Sequence, residues 1–219
     1  MGEQLPLRFR LDHHTQLCDY VGTAGDRLRD LDGLVLVYGT AGTGKSHLLQ
    51  GLCHEALTEG RGVIFLPALA SLDASVLEGL ESSSLVCLDD IDQVIDDPEW
   101  QQSLFHLINA VRDHEGKLVL SSSVAVAELQ PKLADLASRL KGAYLVATDE
   151  LSDVEKLEVI RLKAHRRGFE MSEEVCRFIL SRAQRDMHHL ARLVEQLDRE
   201  TLMQQKKVTI PFVKAALGL

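Results

Sequence analysis

The sequence predicts an α/β domain, a five-stranded parallel sheet with helices on both faces, followed by a small C-terminal helical domain. Over the first two-thirds of the chain, five short Val- and Leu-rich runs alternate with helical patterns. Such runs, with little polar alternation, are typical of strands buried on both faces. After Thr148 the helical patterns continue, and the one extended pattern is a short stretch at 206–210.

The elements of the α/β part follow in a regular order. The predicted strands are 34–38, 62–68, 84–88, 117–121 and 143–147. Helices are expected between them at 46–59, 74–81, 98–115 and 131–140. Helical crossovers between successive strands require parallel pairing, and this predicts a sheet that is covered on both faces.

Capping residues define the helices after residue 150. Ser152 and Glu155 form a capping box, and Gly168 ends the helix that this box begins. Three further helices are expected to begin at Ser172, at Asp186, and at Thr209 with Pro211. We therefore expect three parts, which are an apolar N-terminal peptide at 1–12, an α/β domain at 13–150 and a helical lid at 151–219.

Composition and charge restrict the partners. The 219 residues carry a net charge of −9, so no basic surface for direct, specific nucleic-acid binding is expected. No apolar run reaches the roughly 18 residues that a membrane span needs, which predicts a cytoplasmic protein without a membrane segment. The cysteines form no metal-binding spacing and are expected to be reduced thiols: Cys18, Cys53, Cys87 and Cys176.

A phosphate-binding loop follows the first strand. The segment "GTAGTGKS" at 39–46 matches the pattern G-x-x-x-x-G-K-[ST]. Its glycines let backbone N–H groups point at phosphate oxygens, and the following helix adds the partial positive charge of its N-terminus. Lys45 is expected to contact the β- and γ-phosphates and the Ser46 hydroxyl to bind Mg²⁺. The predicted nucleotide-binding residues here are Gly39, Thr40, Ala41, Gly42, Thr43, Gly44, Lys45, Ser46 and His47.

Carboxylates follow the third strand in "SLVCLDDID". Asp89 falls at the carboxyl edge of the sheet, where open α/β sheets bind ligands. We expect Asp89 to hold Mg²⁺ and Asp90 to orient or deprotonate an attacking water. Asp92 is expected to be a solvated turn residue.

Two arginines complete the pattern. Arg139 lies in "LADLASRLKG" before the fifth strand, and Arg185 lies in "AQRDMHHLARLVEQL". Together with the phosphate loop, the Asp-Asp strand and the helical lid, this layout resembles the AAA+ nucleotide-binding family. The resemblance implies that Arg139 is an arginine finger acting on a neighbour's nucleotide. It also implies that Arg185 is a second sensor contacting the chain's own nucleotide.

Within that family, "GTAGTGKSHLLQGL", "LVCLDDID", "DLASRL" and "RRGFEMSEEVCRFIL" are similar to the bacterial replication initiator DnaA and its shorter relative Hda. The C-terminal "EQLDRETLMQQKKVTIPFVKAAL" is similar to Hda in particular. The resemblance implies a regulator that holds ADP or ATP with Mg²⁺ and offers Arg139 to ATP bound on DnaA. It also places the adenine base beside "TQLCDYVG", with Tyr20 and Val21 as candidate contacts.

The family's first sensor is a polar residue after the fourth strand, and here Ser121, Ser122 and Ser123 are the candidates. Serine cannot carry charge, which argues against vigorous hydrolysis by the chain itself. The alternative function is a free-standing AAA+ ATPase or helicase loader that uses its own ATP. A plain nucleotide-binding module is a third interpretation. The sequence leaves open whether the chain forms a homodimer.

The opening peptide "MGEQLPLRFRL" favours the regulator. Gln4, Leu7 and Phe9 read as Q-x-x-L-x-F, which is similar to the peptide by which bacterial proteins dock on the replication sliding clamp, the β subunit of DNA polymerase. Leu5 is expected to add a flanking contact. Alternatively, the apolar residues of this peptide fold back onto the α/β domain.

Overall fold

The computed structural model describes residues 11, 15–184, 186–204 and 207–218, with position 188 described by its backbone alone. The chain forms two compact units, one ending at Thr148 and one beginning at Asp149. The four clamp-peptide candidates and Arg185 lie outside the described residues. No helix in the described ranges is long and apolar enough to cross a membrane.

The first unit is built on a five-stranded parallel sheet, which confirms the predicted fold. The strand order is β2-β3-β4-β1-β5, and every neighbouring pair is parallel. All residues of β3 and β4 are buried, as their continuous apolar sequences predict. The strands are β1 (Leu34–Tyr38), β2 (Val63–Leu66), β3 (Leu85–Leu88), β4 (Lys117–Ser122) and β5 (Tyr144–Ala147).

Four α-helices belong to this unit, namely α1 (Ala24–Asp30), α2 (Lys45–Thr58), α3 (Pro98–Asp113) and α4 (Ala134–Lys141). The short α1 was not predicted, because its seven residues are too few to show a helical period. The prediction of a helix at 74–81 was wrong. Two 3-10 turns stand there instead, Ala74–Leu77 and Leu80–Ser82, because the backbone of the intervening Glu78 is extended.

Apolar side chains fill both faces of the sheet. Successive residues of a strand point to opposite faces, so Leu36 and Leu120 join the cluster that includes α3, while Val37 and Val119 join the cluster that includes α2. All four are essentially inaccessible to solvent. The helix that follows the phosphate loop therefore packs on one face of the sheet, and α3 packs on the other.

The second unit contains four helices with their own apolar core. The Ser152–Glu155 capping box is present, and the Asp186 carboxylate accepts a hydrogen bond from the His189 backbone N–H. Ser172 and Thr209 cap the other two helices, as predicted. The stretch predicted as extended at 206–210 forms no strand in its described part, where 207–209 precede a helix. The helices are α5 (Asp153–Arg166), α6 (Glu173–Arg182), α7 (Met187–Gln204) and α8 (Ile210–Leu217).

None of the four cysteines forms a disulfide. Cys18 is exposed, whereas the other three are buried.

At Gly51, in the middle of α2, the backbone of the N-terminal segment lies directly against the helix. A Cβ atom on Gly51 would lie 2.6 Å from the backbone N of Leu17 and 2.7 Å from its Cα. Leu17 is itself buried in the α2-side core. The absence of a side chain at position 51 therefore allows the segment at 15–20 to lie directly on the helix that follows the phosphate loop.

We expect Gly51→Ala to lower the free energy of unfolding by about 1–3 kcal/mol, the usual cost of overpacking. This loss would outweigh the gain of up to about 1 kcal/mol that alanine brings to a helix interior. Urea denaturation measures the difference. Gly62→Ala is the control, because a Cβ there would have no neighbour closer than 3.9 Å. Equal stability of wild type and Gly51→Ala would show that the segment does not press on α2.

Candidate functional site

The phosphate loop spans residues 39–44 and joins the carboxyl end of β1 to the first turn of α2. Gly44 has a left-handed backbone with φ of +91°, and α2 begins at the next residue. A Cβ atom on Gly44 would lie 2.9 Å from Cε2 of Tyr20, so the tyrosine ring packs against the loop backbone. The sequence motif therefore folds as expected, with a strand, a tight loop and a helix N-terminus.

Lys45 is buried at the first position of α2. Its Nζ donates hydrogen bonds to the carbonyl oxygens of Gly39, at 2.8 Å, and Thr40, at 3.1 Å. The ammonium group thus lies across the inside of the loop. Ser46 follows in the first turn of α2 and is half-buried, whereas Thr40 and Ala41 are exposed at the tip.

Thr43 connects the phosphate loop to Thr148, the residue that follows β5. Its hydroxyl donates to the Thr40 carbonyl oxygen at 2.9 Å and lies 2.7 Å from the Thr148 hydroxyl. Thr148 follows β5, and its backbone N–H donates to the Tyr38 carbonyl oxygen at 2.8 Å. These bonds hold the loop in one shape, which leaves its backbone N–H groups preorganised for an anion.

Ser121 joins the two acidic residues that follow β3. Its hydroxyl donates to Oδ1 of Asp89 at 2.5 Å and accepts a hydrogen bond from the Asp90 backbone N–H at 2.7 Å. Ser121 is fully buried, and Asp89 is 5% exposed. The sequence left three serines open as the polar residue after β4, and Ser121 is the one that contacts Asp89. The Ser122 hydroxyl instead donates to the Val124 carbonyl oxygen.

Asp90 and Asp92 shape the turn after β3. Asp90 has φ of +57°, a left-handed conformation that aspartate adopts more readily than most residues. The prediction that Asp92 is a solvated turn residue was wrong. Asp92 is half-buried and accepts hydrogen bonds from the Ser123 backbone N–H, at 3.0 Å, and from the Ser123 hydroxyl. The Ser121–Asp89 and Ser123–Asp92 hydrogen bonds therefore hold this turn against the end of β4.

Tyr20 and His47 lie together at the start of α2, with their ring centroids 6.4 Å apart. The Tyr20 hydroxyl donates to the Thr43 carbonyl oxygen at 3.4 Å, and Nε2 of His47 lies 2.9 Å from the Gln16 carbonyl oxygen. Val21 follows Tyr20 and is half-buried. The segment at 15–20 thus forms one wall beside the phosphate loop, and the sequence alone did not indicate its contacts with α2.

Arg139 lies elsewhere, in the last turn of α4. It lines a cavity of about 260 Å³ together with Leu34 and Tyr144, which begin β1 and β5. The phosphate loop follows the opposite end of β1, and the five residues of this strand span about 16 Å. Arg139 and Lys45 therefore belong to opposite edges of the sheet. Within the described ranges, no acidic side chain pairs with Arg139.

A second buried lysine, which sequence reasoning missed, has a different environment. Nζ of Lys117 donates to the carbonyl oxygen of Leu28 at 2.6 Å, at the C-terminal end of α1. Burial lowers the pKa of Lys117 below its ordinary value. This lysine lies at the amino end of β4, away from the phosphate loop, and it caps α1.

Comparison with known proteins agrees with this geometry. The family model described as "Hda, lid domain" matches residues 153–217, and the model described as "RNA helicase" matches residues 35–125, which contain the phosphate loop and Asp89. An uncharacterized protein from Haemophilus influenzae is 39% identical, and the similarity covers the whole of both chains.

Solved structures of a replication initiator share the fold. Domain III of DnaA from Thermotoga maritima gives a TM-score of 0.77 at 19% identity, covering 96% of this chain and 98% of that one. DnaA bound to AMPPCP and single-stranded DNA gives a TM-score of 0.66 at 26% identity, covering 89% of this chain and 69% of that one. The fold and the phosphate loop therefore define an AAA+ protein. The chain belongs to the same family as the Haemophilus influenzae protein, its second unit matches the Hda lid model, and its fold is that of DnaA domain III.

We expect Ser121→Ala to lower the free energy of unfolding by about 1–3 kcal/mol, because it removes a hydrogen-bond donor from a buried carboxylate. Urea denaturation compares it with Ser82→Ala, which removes an exposed hydroxyl bonded only to the Gly79 carbonyl oxygen. Ser82→Ala should change stability by less than about 0.5 kcal/mol. Equal effects of the two substitutions would show that the Ser121–Asp89 contact adds nothing to folding.

Proposed function

We propose that this protein regulates the initiation of bacterial DNA replication. In this proposal it holds ADP, docks on the DNA-loaded sliding clamp, and stimulates ATP hydrolysis by the initiator DnaA, which prevents over-initiation. The observation that carries the proposal is the position of Arg139, which lies at the opposite edge of the sheet from the chain's own phosphate loop. An arginine so placed can act on a neighbour's nucleotide but not on its own.

The phosphate loop would bind the nucleotide of the regulator itself. The preorganised loop and the Lys45 ammonium fit a di- or triphosphate, and the AMPPCP-bound DnaA supports this assignment for a related fold. Tyr20, Val21 and His47 would lie near the base, since they lie beside the loop at the start of α2.

The residues present also fit Mg²⁺. The ion prefers oxygen ligands, and Ser46 supplies a hydroxyl in the first turn of α2 while Asp89 supplies a carboxylate at the carboxyl end of β3. Mg²⁺ would neutralise phosphate charge, and Ser46 and Asp89 would hold it. Asp90 would orient a water at the same edge of the sheet.

Hydrolysis by the chain itself would be weak. In our proposal Ser121 takes the place of the first sensor, and its hydroxyl is neutral and already bonded to Asp89 and Asp90. A neutral hydroxyl cannot supply the positive charge that stabilises a transferring phosphoryl group. This chemistry suits retention of a nucleotide better than rapid turnover.

Arg139 would supply that charge to DnaA. It is half-buried in α4 and has no acidic partner among the described residues, so its guanidinium is available to a phosphate. Arginine fingers of this kind accelerate hydrolysis by about 10³–10⁵ in well-studied systems. Arg185 would act as the second sensor, a role that rests on sequence resemblance.

The clamp contact is proposed from the sequence of Gln4, Leu5, Leu7 and Phe9. Its support is the chain that follows, because the segment from Thr15 onward is fixed to α2 by the Leu17–Gly51 approach and the His47–Gln16 bond. A clamp-bound peptide so close to a fixed segment would raise the concentration of Arg139 near DnaA molecules on the same DNA.

We expect Arg139→Ala to remove the stimulation of ATP hydrolysis on DnaA, a loss of about 10³-fold or more in rate, while ADP affinity stays unchanged. The rate of hydrolysis is measured as ADP formed on DnaA in the presence of DNA-loaded clamp. The affinity of this protein for ADP is measured by calorimetry. Lys45→Ala is the reciprocal variant and should lose ADP binding, and Arg185→Ala should weaken it.

Two outcomes would contradict this prediction. If Arg139→Ala weakens ADP binding as much as Arg185→Ala does, the roles of the two arginines have been exchanged. If the isolated protein turns over ATP as fast as the complete mixture, the alternative holds and the chain is a free-standing ATPase or helicase loader.

We expect the double variant Leu7→Ala with Phe9→Ala to lose binding to immobilised sliding clamp in surface plasmon resonance, because both apolar anchors are removed. Gln4→Ala should weaken the same binding, and Leu5→Ala should change it less. ADP affinity, measured in parallel, should be normal in all of these variants. Clamp binding that survives in the double variant would assign the contact to another part of the chain.

A further inference from the structure

Two threonine hydroxyls form a chain of hydrogen bonds beside the phosphate loop. Thr43, in the loop, and Thr148, which follows β5, are both buried, and their hydroxyl oxygens lie 2.7 Å apart. The Thr43 hydroxyl is also 2.9 Å from the Thr40 carbonyl oxygen, and the Thr148 hydroxyl is 3.2 Å from the Tyr38 carbonyl oxygen. This pair of hydroxyls, the hydroxyl chain, has two protons for three hydrogen-bonding distances, because each hydroxyl donates once.

Gly39, the first glycine of the phosphate loop, makes room for this pair. A Cβ atom at position 39 would overlap the Thr148 hydroxyl and would lie 2.5 Å from the Thr148 carbonyl oxygen. It would also lie 3.2 Å from the Thr43 hydroxyl, which is closer than ordinary van der Waals contact. The glycine therefore allows the residue after β5 to reach the loop.

Two arrangements of the protons fit these distances. In the first, Thr148 donates to Thr43, and Thr43 donates to the Thr40 carbonyl oxygen. In the second, Thr43 donates to Thr148, and Thr148 donates to the Tyr38 carbonyl oxygen. The carbonyl at each end has another donor, which is Nζ of Lys45 for Thr40, at 3.1 Å, and the backbone N–H of Thr148 for Tyr38, at 2.8 Å. Both arrangements therefore leave the two carbonyl groups paired.

A phosphate in the loop would favour the first arrangement. Nζ of Lys45 donates to the carbonyl oxygens of Gly39 and Thr40, so contact with a phosphate requires the ammonium to turn toward the anion. The Thr40 carbonyl oxygen then relies on the Thr43 hydroxyl in place of the ammonium. The hydroxyl chain therefore stabilises the loop more with a phosphate than without one, and only such a difference changes affinity.

We infer that Thr148 is a positioning residue for the phosphates of the bound nucleotide. It acts through Thr43, whose hydroxyl it directs toward the Thr40 carbonyl oxygen while Lys45 turns to the phosphates. This inference rests on the proposed function, in which the loop binds ADP. It adds a contribution to affinity from a residue outside the phosphate-loop motif, at the point where the first unit ends.

The first test measures ADP affinity by calorimetry. Thr148→Val keeps the shape of the side chain and removes its hydroxyl, so ADP binding should weaken about tenfold. Thr148→Ser restores a hydroxyl and should bind ADP within about twofold of the wild type. Thr201→Val is the matched control and should bind ADP normally, because the Thr201 hydroxyl lies beside carbonyl oxygens of its own helix, α7.

The second test needs no nucleotide. Lys45→Met removes the ammonium from the Thr40 carbonyl oxygen, so that this group relies on the hydroxyl chain in the free protein as well. Thr148→Val should therefore raise the equilibrium constant for unfolding about threefold more in the Lys45→Met background than in the wild type. Urea denaturation of the four proteins measures this coupling.

Three results would overturn the role of Thr148. They are an unchanged ADP affinity in Thr148→Val, an equally weak affinity in Thr148→Ser, and an equal cost of Thr148→Val in the two backgrounds. If Thr148→Val does not fold, Thr43→Val and Thr43→Ser give the same comparisons from the other half of the hydroxyl chain. If the wild type does not bind ADP, the proposed function fails, and the urea comparison still decides whether the hydroxyl chain replaces Lys45.

Discussion

Parallel pairing of β1 with β4 on one side and β5 on the other is the constraint on which the rest of this structure depends. Because all five strands run in one direction, every strand ends at the same edge of the sheet. The phosphate loop and Asp89 therefore meet at the carboxyl edge. The same constraint brings Arg139 and Tyr144 together at the amino edge. One fold thus carries two separate groups of residues, the phosphate loop with Asp89 at one edge and Arg139 with Tyr144 at the other.

Features encoded by neighbouring residues could be predicted from the sequence. The strands follow from continuous apolar runs, and the phosphate loop follows from glycine spacing next to a lysine. The cap residues Ser152, Ser172 and Thr209 follow from local hydrogen-bonding chemistry. Each of these signals lies within a few residues of the element that it defines, so no knowledge of the tertiary structure is needed.

Features that depend on register between strands could not be predicted. Leu88 pairs with Leu120, which sets Asp89 opposite Ser121, and nothing in "LSSSV" distinguishes the three serines without that pairing. The same register brings Ser123 to Asp92, which the sequence suggested to be a solvated residue. The position of Arg139 relative to the loop likewise depends on strand order, and the family resemblance supplied its role only as an expectation.

The two buried lysines show how a site can be separated from a structural contact. Lys117 donates to carbonyl oxygens at the C-terminal end of α1, where the helix dipole favours a cation. Lys45 begins α2, where the positive end of the helix dipole disfavours a cation. Its position there is electrostatically costly to the fold, and an anion in the loop would offset that cost. The contact with α1 accounts for Lys117, whereas the position of Lys45 at a helix N-terminus agrees with the phosphate ligand proposed above.

Chemistry at the two edges suits different tasks. At the carboxyl edge, the Ser121 hydroxyl is a neutral partner for the Asp89 carboxylate and the Asp90 backbone N–H, which agrees with the weak hydrolysis proposed above. At the amino edge, Arg139 keeps a full charge that no described acidic side chain neutralises. In the proposed function, the Lys45 ammonium serves the chain's own nucleotide at the first edge, and the Arg139 guanidinium serves a partner's nucleotide at the second.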